Sequence, residues 1–182
     1  MVPEAPLERS DGGLVPQGEG WFVVNAREAR WFDSDFGPFT RFEGDGEAKF
    51  KEVGINIGVL QPGQPACMYH GEDNQENFLV LSGECLLLVE GEERRLKQWD
   101  FFHSPAWTEH VFVGAGDGPC AILMVGARPQ PEELLYPVAE VARKHDAGVE
   151  KETSSGREAY AAFSRTIEGR YRDGALPDFG VS

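Results

Sequence analysis

Eight short segments rich in apolar, β-branched and aromatic residues follow one another between positions 53 and 125, and they constrain the fold more than any other feature. Turns that contain Gly, Pro, Ser or Asp separate them. Short strands at this spacing, joined by tight turns, are typical of an antiparallel sandwich or barrel. The sequence therefore predicts an all-β fold. The predicted strands are Val53–Leu60, Ala66–Glu72, Asn77–Leu81, Cys85–Glu90, Arg94–Leu96, Asp100–His103, His110–Val113 and Cys120–Val125.

The regions on either side of this run differ from it in character. We assign residues 1–50 to an N-terminal arm with added strands, one of them at Trp21–Val24, residues 51–127 to the barrel core, and residues 128–182 to a C-terminal helical extension. The total of 182 residues is typical of one domain and allows a core that needs no disulfide or structural metal.

Two short helices are expected in the C-terminal extension. Leu134, Val138 and Val141 recur at helical spacing and predict the first helix. Ser155 and Glu158 form a capping-box pattern that opens the second. We expect both helices to pack outside the barrel or on a second subunit, and to contribute no catalytic residue.

The charge balance excludes two classes of partner. The chain has 17 Lys and Arg against 31 Asp and Glu, which gives a net charge of −14. A surface this negative repels phosphate backbones and anionic headgroups, so we expect neither nucleic acid nor a membrane as a partner.

The cysteines indicate the compartment. Cys67, Cys85 and Cys120 are odd in number, widely spaced and outside any CxxC motif. Free thiols in a reducing cytoplasm are the expected state. Residues 1–20 are polar and acidic and lack the features of a signal peptide, which also favours a cytoplasmic protein.

Two histidines and two glutamates form the candidate functional site. His70 and Glu72 project to the same face of a strand because side chains alternate with period two. Glu76 opens the next strand and His110 opens a later one, so all four can face one interior point. Imidazole and carboxylate ligands suit Mn, Fe, Zn, Ni or Co. The alternative is that the histidines are core residues that hold strands together without a metal.

The same stretch resembles the first motif of the cupin superfamily, G-x(5,6)-H-x-H-x(3,4)-E-x(6)-G. Gly63, His70, Glu76 and Gly83 match it, and Glu72 stands where the second histidine is usual. The resemblance implies a cupin-type jelly-roll β-barrel, a double-stranded β-helix, of the small single-domain microbial kind.

A second cupin motif, G-D-x(4)-P-x-G-x(2)-H-x(3)-N, follows in the right order. Asp100, Pro105 and His110 match this motif. Three positions depart from it, where Gly, Gly and Asn are usual; they are Trp99, Trp107 and Gly114.

The resemblance implies a metal-binding protein that acts on a small organic molecule. His70, Glu76 and His110 would bind a divalent transition metal, and Glu72 is either a fourth ligand or a general acid or base. A dioxygenase or an isomerase-type enzyme is expected, and a non-catalytic module that binds a small ligand or a metal is the alternative. Exposed strand edges and the terminal extensions predict a homodimer.

Overall fold

Most of the described chain consists of short antiparallel strands. The computed structural model describes residues 1–128 and 133–178. The strands are β1 (Leu7–Arg9), β2 (Leu14–Pro16), β3 (Trp31–Asp33), β4 (Phe39–Arg41), β5 (Val53–Leu60), β6 (Gly71–Glu72), β7 (Glu76–Ser82), β8 (Glu84–Val89), β9 (Glu92–Lys97), β10 (Phe101–Ser104), β11 (His110–Ala115), β12 (Cys120–Ala127), β13 (Leu134–Leu135) and β14 (Ile167–Gly169). The helices are α1 (Glu140–Arg143) and α2 (Gly156–Ala159), with a 3-10 turn at Gly46–Ala48.

Two facing sheets form the body of the fold. The larger has the strand order β10-β7-β12-β5-β4-β3-β14, and the smaller has the order β11-β8-β9. The segment before β6 extends the smaller sheet, because Pro65 and His70 form antiparallel bridges with Val113 and His110. Side chains of both sheets pack between them, which confirms the predicted all-β jelly-roll fold; they include Leu60, Phe78, Val80, Leu87, Phe112 and Ile122.

Strand β5 shows how the sequence separates the two faces of the larger sheet. Ile57 and Val59 point outward and pack against Trp31. Asn56 and Gly58 alternate with them and line a cavity on the inner side. A small and polar inner face beside an apolar outer face leaves room inside the barrel.

The N-terminal residues cover the outer face of the larger sheet, although one predicted strand is wrong. Trp21–Val24 forms no strand, and Trp21 makes only an isolated bridge with Glu4. Val23 is exposed, so the segment lacks the buried face that stabilises a strand.

The first predicted C-terminal helix is shorter than expected. Leu134–Leu135 forms β13, which pairs with β6, and helix α1 covers only Glu140–Arg143. Pro137 explains the difference, because proline disfavours helical conformation in the residue before it. No helix within residues 1–128 and 133–178 is long and apolar enough to cross a bilayer. Residues 129–132 and 179–182 of the predicted extension lie outside the described residues.

The second C-terminal helix begins where the capping box predicted. Ser155 Oγ accepts a hydrogen bond from the backbone N–H of Glu158 at 3.3 Å. The Glu158 carboxylate accepts from the hydroxyl of Thr153 at 2.6 Å instead of returning to the cap residue. The helix ends at Ala159, and a turn follows.

Candidate metal centre

The fold brings together the four residues that the sequence singled out. Ligand atoms of His70, Glu72 and Glu76 all lie within 4.8 Å of one another. His110 Nε2 lies 3.3 Å from Glu76 Oε2, and the two imidazole centroids are 5.6 Å apart. The donor set is therefore two imidazoles and two carboxylates.

Backbone pairing fixes the positions of the two histidines. His70 and His110 are directly opposite in an antiparallel bridge, with N···O distances of 3.3 and 2.9 Å. Residues paired in this way project their side chains to the same side of a sheet. Glu76 opens β7 from the facing sheet, and β6 ends at Glu72.

Hydrogen bonds from the ring N–H groups to backbone carbonyl oxygens orient both imidazoles. The Nδ1 atom of His70 lies 2.8 Å from the carbonyl oxygen of Met68, and that of His110 lies 3.0 Å from the carbonyl oxygen of Thr108. A carbonyl oxygen only accepts hydrogen bonds, so Nδ1 carries the proton in each ring. In the neutral form of each ring, Nε2 then keeps a lone pair, which is the arrangement found in metal-bound histidines.

The surroundings of His70 favour its neutral form. Burial lowers the pKa of His70, and the proximity of His110 lowers it further, against the opposing effect of Glu76. A neutral imidazole is the form that binds a metal ion.

A buried carboxylate oxygen of Glu76 indicates whether these residues can bind a cation. The Oε2 atom is buried and has no hydrogen-bond partner among the described residues. A buried carboxylate without a partner is costly. A divalent ion coordinated by this oxygen and by the Nε2 atoms of His70 and His110 would remove that cost, so the residues present fit a metal.

Trp99 and Trp107 adopt unusual backbone conformations. Their φ angles are 74° and 66°, in the left-handed region that favours glycine. Both residues stand where the second cupin motif usually has glycine. Gly63 and Gly83 of the first motif have φ angles of 80° and 75°. The backbone thus has the turns of both motifs, even where the side chains depart from them.

The comparisons with known proteins agree with this geometry. Residues 56–126 match the family model described as "Cupin domain". These residues form a cupin domain. Among curated proteins, none matches the sequence.

Solved structures share the cupin fold at low identity. The polyketide cyclase RemF from Streptomyces resistomycificus aligns with a TM-score of 0.53 and 14% identity, over 61% of this chain and 82% of that chain. A sugar phosphate isomerase from Silicibacter pomeroyi DSS-3 aligns with a TM-score of 0.49 and 20% identity, over 85% and 83%. A proposed sugar phosphate isomerase from Acidithiobacillus ferrooxidans aligns with a TM-score of 0.48 and 21% identity, over 54% of this chain and 64% of that chain, less than two thirds of its length. These likenesses concern the fold alone.

One side of the candidate metal centre is apolar. The rings of Phe78 and Phe102 lie 5.1 and 5.6 Å from that of His110, and the ring of Tyr136 lies 5.7 Å from that of His70. Charges interact more strongly next to such walls than in water.

Cys67 also reaches the site, which the sequence did not indicate. Its Sγ atom lies 3.8 Å from Nδ1 of His70. Burial, with added repulsion from Glu76 and Glu72, raises the pKa of the Cys67 thiol to about 12, so the thiol keeps its proton. In a regular strand Cys67 would face away from His70, and the spacing therefore gave no signal.

The C-terminal extension places aromatic side chains beside the candidate site. The Tyr136 ring packs on His70, and Tyr160 packs edge-on against Tyr136 at 5.9 Å. The Tyr160 hydroxyl accepts a hydrogen bond from the backbone N–H of Met68 at 3.1 Å. Tyr136 therefore forms part of the wall of the candidate metal centre, and the pairing of β13 with β6 brings this segment next to Glu72.

A cavity of about 420 Å³ reaches the candidate metal centre through Cys67, which lies next to Nδ1 of His70. Its described lining does not include His70, Glu72, Glu76 or His110. Cys67, which contacts His70, forms part of its wall, together with the inner face of β5 and aromatic side chains from both extensions. The size is that of a small-molecule site. Sequence reasoning missed Asn56 and Arg41 in this lining. Asn56 was detectable as the one polar residue in the apolar strand β5, whereas Arg41 required knowledge of the β4–β5 register.

Proposed function

We propose that this cupin domain is a metal-dependent enzyme that acts on a small organic molecule bound in the cavity beside His70. One observation carries the proposal: the buried Oε2 atom of Glu76, which has no hydrogen-bond partner among the described residues, lies 3.3 Å from Nε2 of His110, with His70 and Glu72 within ligand distance. This arrangement supports a metal site better than a set of core histidines.

His70, Glu76 and His110 would hold the ion in this proposal. A divalent transition metal (Mn, Fe, Zn, Ni or Co) supplies Lewis acidity or an activated ligand when bound. Two carboxylates make the donor set harder than one with three histidines. The set therefore suits isomerase-type chemistry as well as oxygenation, and both remain candidates for the reaction.

Glu72 has two possible roles in this site. Its position within ligand distance of His70 and Glu76 supports a fourth ligand. Its place at the end of β6, next to the C-terminal wall, also suits a general acid or base that moves a proton on the substrate.

Metal analysis of protein purified without chelators tests the proposal. We expect about one transition-metal ion per chain in the wild type and its loss in His70→Ala. His103→Ala is the matched control, because His103 is exposed on β10 and bonds to Asn77, outside the cluster. Metal retained in Glu72→Ala would assign Glu72 to proton transfer, and loss would make it a ligand.

The result that would overturn the proposal is a wild type that neither carries nor takes up any of these metals. Stoichiometric ligand binding without conversion would favour the non-catalytic binding module instead. We also propose that the protein acts in the cytoplasm, which the free thiols of Cys67, Cys85 and Cys120 support.

A further inference from the structure

The cavity beside the metal centre has an unusual electrostatic character. The chain has 31 Asp and Glu and a net charge of −14, yet none of the described residues that line this cavity is acidic. Arg41 is the one Lys or Arg side chain in the lining. The cavity therefore presents a positive charge on a strongly negative protein.

Arg41 has no ion-pair partner within the described residues. The two carboxylates whose charges act on it, Glu43 and Asp45, are engaged by other arginines. Glu43 accepts from Arg128 at 2.6 and 2.9 Å, and Asp45 accepts from Arg30 at 2.8 and 3.2 Å. The guanidinium of Arg41 therefore keeps its donors for another acceptor.

Two aromatic rings hold this guanidinium in place. Its central carbon lies 5.3 Å from the ring centroid of Phe32 and 5.2 Å from that of Phe39. Burial lowers the pKa of Arg41, against attraction from Glu43, although the group remains charged at neutral pH. The rings stack on each other at 5.2 Å, and the exposed Arg41 side chain packs beside this pair. A cation held by such contacts binds an anion at a small entropic cost.

The remainder of the lining combines aromatic surface with uncharged polar side chains. Phe36, Phe39 and Phe163 supply aromatic surface. Asn56 lies opposite Arg41 in the β4–β5 register, and its buried Oδ1 atom has no hydrogen-bond partner among the described residues. A ligand with an acidic group, a flat body and a hydrogen-bond donor would complement these groups.

We propose that Arg41 anchors a carboxylate and that the substrate is a small organic acid with a flat, apolar body. The planar fork of a guanidinium matches a carboxylate in a two-bond contact. A phosphate dianion calls for more charge than the single cation in this lining supplies. The inference rests on the proposed function for what happens to the substrate, since the metal centre adjoins the same cavity.

Fluorine NMR of two isosteric probes, 4-fluorobenzoate and 4-fluorobenzamide, tests the anchor. We expect Arg41→Gln to weaken benzoate binding roughly tenfold or more and to leave benzamide binding unchanged, because the lost bonds are to a charged group. Arg9→Gln is the matched control, since Arg9 lies on β1 and outside this cavity, and it should change neither. Arg41→Lys should give an intermediate loss, because charge is kept and the fork is removed.

Three results would overturn the anchor: benzoate binding that is equal in wild type and Arg41→Gln, no benzoate binding to the wild type, or displacement of benzoate by inorganic phosphate at lower concentration than benzoate itself. Thermal unfolding of each variant checks that it is folded. If Arg41→Gln does not fold, the comparison is made with Arg41→Lys instead. The measurement is made on the full chain as purified and again after chelation. A protein that binds no metal can therefore still show the anchor, so this inference and the proposed function fail separately.

Discussion

At the scale of single residues, Trp99 and Trp107 have positive φ angles at positions where the second cupin motif usually has glycine. The turn conformation is therefore kept although the side chain differs. The φ angle of 66° at Trp107 costs about 1 kcal/mol for any residue with a Cβ atom. Trp107 is half exposed, so its side chain recovers only part of this by packing.

Replacing Trp107 by Gly and by Ala separates the backbone from the side chain, because both variants lose the indole. We expect the Trp107→Gly variant to be more stable than the Trp107→Ala variant by about 1 kcal/mol in free energy of unfolding. At most positions alanine stabilises the fold more than glycine, so this order is reversed. Urea denaturation measures the difference. Equal stability, or a more stable alanine variant, would show that the turn does not require a left-handed residue.

Some residues of the candidate site could be predicted from neighbouring positions in the sequence, and others depend on contacts between distant segments. His70 and Glu72 could be predicted because strand alternation relates neighbours in sequence, and the family spacing placed Glu76 and His110 with them. Cys67 and Arg41 could not. Cys67 lies in a segment that bridges the sheet only at Pro65 and His70, so alternation fails there. Arg41 reaches the cavity through pairing with a strand that begins twelve residues later.

At the scale of elements, a buried ion pair ties the chain after β4 to the end of β12. Glu43 is 5% exposed and accepts hydrogen bonds from Arg128 and from the backbone N–H of Phe50. Burial would raise the pKa of Glu43, but these bonds and the charge of Arg128 outweigh it, and the pKa is lowered.

The lowered pKa of Glu43 predicts how stability depends on pH. A carboxyl group with a folded pKa below its unfolded value of about 4.3 stabilises the fold above that value, and the stability is lost as pH falls through the folded pKa. We expect Glu43→Gln to lower the free energy of unfolding by about 3 kcal/mol at pH 7, with a smaller difference from wild type below about pH 4. Urea denaturation across this range, with Glu84→Gln in the exposed pair with Arg95 as control, measures it. A difference independent of pH would contradict the assignment.

Predicted strands agree with the structure to different degrees. The predicted strand Ala66–Glu72 is regular only at Gly71–Glu72, which forms β6. The predicted strand Val53–Leu60 is β5 without change. Leu134 was assigned to a helix by its spacing, yet it pairs with β6, sixty residues earlier along the chain. Helical spacing over so few positions is weak evidence when a tertiary partner and a proline act against it.

At the scale of the whole molecule, the homodimer stays a prediction, and the surface suggests where to test it. Strand β10 is the edge of the larger sheet, and it carries Phe101 at 62% exposure, with Trp99 at 58% beside it. An exposed apolar sheet edge favours association. We expect sedimentation to show a dimer at micromolar concentration and a monomer for Phe101→Glu. Val23→Glu is the control, because Val23 is exposed elsewhere. A monomeric wild type would contradict the prediction.

The central claim is that His70, Glu72, Glu76 and His110 surround one metal ion, and X-ray absorption spectroscopy of the zinc-loaded protein tests it most directly. The account predicts nitrogen and oxygen neighbours at about 2.0–2.2 Å and no sulfur, because the Cys67 Sγ atom lies next to Nδ1 of His70, the ring nitrogen on the side away from Nε2. A sulfur neighbour at about 2.3 Å, or a protein that takes up no zinc, would contradict it.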